Sequence, residues 1–376
     1  LLFGAGWGTW LYRALVLLVV ACPCALVIST PVTIVSGLAR ATRSGILFKG
    51  GLHLEAFGRL RAVAFDKTGT VTVGRPQVSR IVGLHPGPAG RESEVLRLAA
   101  GIEARSEHPL AAAVVACARE RGVQPPGADE FLALPGKGAA ATIEGKRYYL
   151  GNHRLFEEMG WCQPALDERL DRLEKQGHTA VILGDGREVL GLIALADQPR
   201  PEARQAVAAL KEGGMRRTVL LTGDNRSTAR RIAEAIGVDE YRAELLPEEK
   251  VGAVQELVRR YGPTGMVGDG VNDAPALAAA TVGVAMGAAG SDAALETADV
   301  ALMSDDLGRL PEAVVLSRRV LRLIKQNIGF ALLLKAVFLA LTPFGLTTLW
   351  MAVLADMGAS LLVIFNGLRA LRAPRR

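Results

Sequence analysis

Residues 7 to 38 form an apolar stretch with a proline in its middle, and this limits the fold more than any other feature. About 20 such residues cross a bilayer as a helix. The core reads Ala14-Leu15-Val16-Leu17-Leu18-Val19-Val20-Ala21, then Cys22-Pro23-Cys24, then Ala25-Leu26-Val27-Ile28. Pro23 removes a backbone hydrogen bond and bends the helix. Lipid tolerates that only where neighbours or a bound ion satisfy the freed carbonyls. Arg40, Arg43, Lys49, Arg59 and Arg61 follow the span and mark that side as cytoplasmic.

Two further spans are expected near the end, from about Ile328 to Leu341 and from about Leu346 to Leu368. Arg318, Arg319, Arg322 and Lys325 precede the pair, and Arg369, Arg372, Arg375 and Arg376 follow it. The uncharged link Thr342-Pro343-Phe344-Gly345 makes the pair a membrane hairpin with both outer ends cytoplasmic. Half of the 376 residues are hydrophobic, which suits membrane segments mixed with soluble ones. The net charge of +6 is concentrated beside these segments, so it reads as membrane orientation and not as nucleic-acid binding. The four cysteines include two inside an apolar run, which argues against a disulfide framework.

Between the spans, short β-like runs alternate with amphipathic helical stretches. The runs Thr218–Leu221, Gly265–Val267, Val282–Met286 and Val300–Leu302 predict an open parallel α/β sheet. A segment from about Ser79 to Ala196 interrupts this pattern. It has its own helix from Ser93 to Gly122 and strand-like runs at Ala139–Ile143, Arg147–Leu150, Ala180–Leu183 and Val189–Leu195. The expected division is 1–45 as a membrane helix, 46–78 with 197–315 as a discontinuous α/β domain, 79–196 as an insert and 316–376 as the hairpin.

The run Ala62-Val63-Ala64-Phe65 leads into Asp66-Lys67-Thr68-Gly69-Thr70. A carboxylate at the end of a buried strand can attack a phosphoryl group and carry it as an aspartyl-phosphate. Thr222-Gly223-Asp224 follows another strand, where a hydroxyl and backbone amides can hold a phosphoryl oxygen. Lys250 follows Leu246-Pro247-Glu248-Glu249 and could neutralise phosphate charge. Gly268-Asp269-Gly270-Val271-Asn272-Asp273 supplies carboxylates suited to Mg²⁺. There is no G-x-x-x-x-G-K-[ST] segment.

These four motifs, in this order, resemble the haloacid-dehalogenase-type phosphorylation domain of P-type ATPases, the ion pumps that cycle through an aspartyl-phosphate. The resemblance implies a Rossmannoid phosphorylation domain carrying an inserted α+β nucleotide-binding domain, flanked by membrane helices. It makes Asp66 the phosphorylated residue, with Lys67, Thr68, Thr222, Gly223, Asp224, Lys250 and Asp273 in the catalytic set. Asp66, the Thr68 carbonyl and Asp269 would hold Mg²⁺. In the insert, Glu103 before Ser106-Glu107-His108-Pro109, then Gly136-Lys137-Gly138 and Gly151-Asn152, resemble the nucleotide-binding domain of the heavy-metal branch. Glu103, His108, Gly136, Gly138 and Asn152 would then surround the ATP.

Cys22 and Cys24 are soft ligands that select Zn, Cd, Pb or Cu(I) over hard cations. Lys335 and Asp356 are charges inside the hairpin, and such charges are costly unless functional. Lys335 lies ten residues beyond Lys325, about 15 Å along a helix and near mid-membrane. This Lys with Asp-x-Gly resembles the zinc/cadmium/lead subgroup; the Tyr-Asn pair and Met-x-x-Ser-Ser segment of the copper subgroup are not found. The resemblance implies that Cys22, Cys24 and Asp356 bind the ion and that Lys335 is a built-in counter-ion. The partners expected are therefore ATP, a soft divalent metal and membrane lipid. The location expected is a bacterial inner or plasma membrane, with the soluble domains cytoplasmic.

No Thr-Gly-Glu segment and no initiator Met occur. The expectation is the C-terminal part of a pump, without its actuator domain and upstream helices, and incomplete for transport by itself. Two alternatives remain open at this point. One is a membrane-tethered phosphatase of the same superfamily, although those usually carry an Asp two residues after the nucleophile, where this chain has Thr68. The other is a non-catalytic membrane metal sensor.

Overall fold

The computed structural model describes residues 6–85, 87–88, 91–106, 108–162, 164–269, 273–287 and 296–372. Gly270, Val271 and Asn272 of the carboxylate loop, Glu107, Arg375 and Arg376 lie outside these residues. The strands are β1 (Ile46–Phe48), β2 (Ala62–Asp66), β3 (Thr72–Gly83), β4 (Asp129–Leu134), β5 (Gly138–Ile143), β6 (Lys146–Gly151), β7 (Thr179–Gly184), β8 (Val189–Pro199), β9 (Arg217–Leu221), β10 (Glu240–Arg242), β11 (Thr264–Gly268), β12 (Val282–Ala285) and β13 (Val300–Leu302). The chain forms two compact units. One comprises Leu1–Ala64, Gln205–Thr218 and Pro247–Arg376; the other comprises Phe65–Arg204 and Val219–Leu246.

In the first unit the strand order is β1-β13-β12-β11-β2. β11, β12 and β13 run parallel, and β1 closes the edge antiparallel to β13. Every residue of β11, β12 and β13 is buried. That burial explains why these strands read as continuous apolar runs, as strands covered on both faces do.

Three segments of this unit are long and apolar enough to cross a membrane: Trp7–Arg43, Arg309–Phe344 and Leu349–Leu371. The first is broken and not merely bent. One helix ends at Ala21 and the next starts at Cys24. The helix Arg309–Leu341 has 33 residues and begins well before the apolar stretch. Small residues let the helices approach: Ala25, Ala331, Ala359 and Val363 form one shared buried cluster. Asn327 lies buried and donates to the Val363 carbonyl at 3.1 Å, while Asn366 donates to Asn327 at 2.7 Å. At the other end Arg13 donates to the Pro343 carbonyl at 3.0 Å and the Tyr12 hydroxyl accepts from the Leu349 amide at 2.9 Å. The first helix thus satisfies polar groups of the hairpin turn.

In the second unit β9 and β10 pair in parallel. A separate sheet has the order β3-β8-β7-β6-β5-β4, with antiparallel pairing throughout. Its strand β3 starts at Thr72 and its strand β8 ends at Pro199, beyond the expected insert limits of 79 and 196 on both sides. Leu98, Ile102, Ile143, Leu150, Leu183 and Ile193 are among the residues of its main core. The expected single helix from Ser93 to Gly122 is two helices, Glu92–Glu103 and Pro109–Glu120. Pro109 has no amide to continue the first helix, and His108 caps the second by accepting from the Leu110 amide at 3.2 Å.

Candidate active site and ion site

β2 is buried along its whole length, and Asp66 stands at its last position with 5% exposure. The next residue, Lys67, turns its ammonium onto the Asp224 carboxylate at 2.6 Å. Asp224 comes from the loop after β9, so the pair joins two strand ends of the second unit. In that loop Thr222 is buried and its Oγ1 accepts from the Asp224 amide at 3.1 Å. The Asp224 amide is therefore spent locally on the Thr222 hydroxyl oxygen.

Two residues outside every motif hold the turn after Asp66. Arg200 is buried and donates to the carbonyls of Thr70, at 2.8 Å, and Gly69, at 3.1 Å. Asp197 accepts from the Thr72 hydroxyl and, at 3.1 Å, from the Gly74 amide. Burial pushes the Asp197 carboxyl above its ordinary range, against the pull of Thr72, the Lys67 charge and Gly74. The sequence signal for them is Asp197-Gln198-Pro199-Arg200-Pro201, two charges set in a proline-rich exit from an apolar strand.

In the first unit Lys250 lies in the opening turn of the helix Pro247–Tyr261. Its ammonium meets Asp273 at 2.8 Å, and both side chains are largely buried. Asp269 follows directly after β11, the strand beside β2, and is half-buried.

The insert brings Glu103, His108, Gly136, Gly138 and Asn152 to the wall of one cavity of about 370 Å³. Each arrives from a different place in the chain. Glu103 ends a helix and His108 caps the next. Gly138 opens β5, and its φ of +150° suits glycine alone; a Cβ there would run into the Leu150 carbonyl oxygen. Asn152 caps the helix His153–Glu158 through its Oδ1, while its Nδ2 donates to the Gly136 carbonyl at 2.9 Å. Burial raises the Glu103 carboxyl above its ordinary 4.5, opposed by Ser106 and by His108. Phe131 and Leu134, from β4, add apolar wall. A wider cleft of about 980 Å³ in the same unit is lined by Lys67 and Asp224 as well as by Asn152, His178 and Asp197.

At the membrane break, Cys22 is exposed and Cys24 half-buried. The Cys24 thiol interacts with Cys22 and with Asp356. The three donor atoms do not all fall within 4.8 Å of one another. Lys335 lies among them: its ammonium donates to the Val20 carbonyl at 2.9 Å and to the Cys22 carbonyl, and pairs with Asp356 at 3.5 Å. The carbonyls that the helix break exposes are thus satisfied by a charged side chain from the hairpin.

A family model for haloacid dehalogenase-like hydrolases matches residues 60–281. A probable cadmium-transporting ATPase of Alkalihalophilus pseudofirmus is 47% identical over 376 residues, covering 99% of this chain and 52% of the relative. The zinc/cadmium/lead-transporting P-type ATPase of Escherichia coli K12 is 47% identical over 375 residues, covering 99% of this chain and 49% of the relative. A crystal structure of a zinc-transporting PIB-type ATPase in its E2.Pi state superposes with a TM-score of 0.90 at 46% identity, covering 99% of this chain and 60% of that one. The chain spans about half the length of the curated relatives it matches.

Proposed function

Because the chain belongs to the haloacid dehalogenase-like hydrolases, and among them to the metal-transporting P-type ATPases, we propose that it performs the phosphorylation and part of the ion binding of an ATP-driven exporter of a soft divalent metal. One observation carries this reading. Five residues scattered from Glu103 to Asn152 line one cavity, in the unit that also holds Asp66.

ATP is the proposed occupant of that cavity. An oxygen of the Asp66 carboxylate attacks the γ-phosphorus; the bond from that phosphorus to the bridging oxygen breaks, and ADP leaves with the electron pair. Lys67 and Lys250 bring positive charge to the transferring group, each oriented by its own carboxylate, Asp224 or Asp273. The Thr222 hydroxyl donates to a phosphoryl oxygen, beside Gly223. Asp66, Asp269 and the Thr68 carbonyl are hard oxygen donors, the set that Mg²⁺ prefers. When bound, the ion supplies charge neutralisation for the phosphates.

Cys22, Cys24 and Asp356 are proposed to bind the exported ion, Zn²⁺, Cd²⁺ or Pb²⁺, with Lys335 as its counter-charge. Two thiolates and a carboxylate suit such an ion better than Na⁺, K⁺ or Ca²⁺. Lipid is the medium proposed around the three apolar segments.

The test is to incubate the chain with labelled ATP, Mg²⁺ and Zn²⁺ and to quench in acid. Hydroxylamine-sensitive label is expected, and it should be absent from Asp66→Asn. Label persisting in Asp66→Asn overturns the assignment. Equal labelling of Cys22→Ala and Cys24→Ala with and without Zn²⁺ is expected, since these variants lose the ion response; an unchanged Zn²⁺ response overturns the ion site.

A further inference from the structure

His153, Cys162 and Asp167 offer one ligand atom each, and these three atoms all lie within 4.8 Å of one another. Among the described residues no other His, Cys, Asp and Glu trio is gathered so closely. None of the phosphoryl-transfer, nucleotide or membrane roles above uses any of the three. We propose that they form a second metal site, in the insert, for a borderline-soft divalent ion such as Zn²⁺, Cd²⁺ or Co²⁺.

The local fold builds this cluster from three places. His153 opens the helix His153–Glu158. Cys162 lies in the turn that follows, half-buried. Asp167 is in the first turn of the helix Pro164–Lys175. The His153 Nε2 and an Asp167 oxygen are 2.9 Å apart. A tetrahedral zinc site with bonds of about 2.0–2.3 Å sets its ligands roughly 3.5 Å apart, so the trio needs small shifts only.

The chemistry of the set agrees with the distances. A thiolate and a carboxylate balance the charge of a divalent ion, and a neutral imidazole adds the third ligand. Nitrogen with sulfur selects Zn²⁺ or Cd²⁺ over Mg²⁺. Glu157 stands one turn beyond His153 but outside the trio, so the fourth position is left to water. The competing explanation is that His153 and Asp167 are an ion pair joining two helices. That explanation gives the thiol no part.

The site also has a position that matters. Asn152 caps the helix that His153 opens and holds the Gly136 carbonyl at the wall of the nucleotide cavity. A metal tying His153 to Cys162 and Asp167 fixes that helix end.

The experiment uses the whole chain in detergent, carrying Cys22→Ala and Cys24→Ala so that the membrane thiols are gone. With Mg²⁺ in excess, this background is expected to bind one equivalent of Zn²⁺, and Co²⁺ should give a thiolate-to-metal charge-transfer band. Adding Cys162→Ser should abolish the band. His153→Ala or Asp167→Asn should weaken Zn²⁺ binding by more than about tenfold, the loss that removal of an outer hydrogen-bonding partner already causes. Thermal melts without metal check that each variant is folded. A background that binds no Zn²⁺, or a charge-transfer band that survives in folded Cys162→Ser, overturns the proposal.

Discussion

Lys67 and Asp224 lie 157 residues apart in sequence, yet their charged atoms are 2.6 Å apart. The lysine is nearly buried and the carboxylate is one-third exposed. The pair joins the residue after the strand-end Asp66 to the loop after β9, so the two loops hold one position relative to each other.

Such a pair should show coupling. Lys67→Met and Asp224→Asn, alone and together, form a double-mutant cycle measured by thermal or denaturant melts. The expected coupling is about 1 kcal/mol or more, within the range for charged groups in contact. Additivity to within about 0.3 kcal/mol would mean that the contact adds nothing to stability.

His108 caps a helix at the rim of the insert cavity and lies in a different sheet's territory from β2. His108→Gln should therefore weaken phosphorylation from ATP while leaving phosphorylation from inorganic phosphate nearly intact. Equal loss of both would place His108 in the chemistry instead.

The two glycines of the cavity should differ. Gly136 has a φ of +71° and open space where a methyl group would sit, so Gly136→Ala should cost only the backbone strain, about 1–2 kcal/mol. Gly138→Ala meets the Leu150 carbonyl and must part β5 from β6. It should lower the melting temperature more and abolish nucleotide binding. Similar melting temperatures for the two variants would contradict the close approach seen at Gly138.

Glu103 has a folded-state pKa above its ordinary 4.5, chiefly through burial. The folded chain then holds that proton more tightly than the unfolded chain does. The resulting stability is fully present below 4.5 and is lost as pH rises through the raised value. Relative to Glu103→Gln, the unmodified chain should lose stability as pH climbs from about 4 toward neutrality. A stability difference that stays flat with pH would show that burial does not govern this carboxyl.

Much of this arrangement is legible in the sequence, and the parts that are not have physical reasons. β9, β11, β12 and β13 are buried runs, so hydrophobicity alone marks them. β4 escapes the pattern because its alternation fails: Glu130 takes a positive φ of 48° and the pairing with β5 slips between Asp129 and Leu132. Phe131 is hidden with it. The helix pair around His108 reads as one helix because the residues on both sides are good helix formers, and a single proline is all that marks the break. Asp197 and Arg200 act on backbone groups of residues 69 to 74, and no linear spacing encodes a contact made across a sheet.

Lys335 gives the broken membrane helix a property that a free ion could not. Its ammonium is tethered to the same protein as the Val20 and Cys22 carbonyls it meets, so its local concentration is set by the length of one side chain and not by the medium. Any cation from solution that takes those carbonyls must outcompete a rival that never diffuses away. On the proposed reading, an ion that the thiolates hold tightly competes better for those carbonyls than Na⁺ or K⁺ does. The lysine would thereby set an affinity threshold for the ion proposed to bind there.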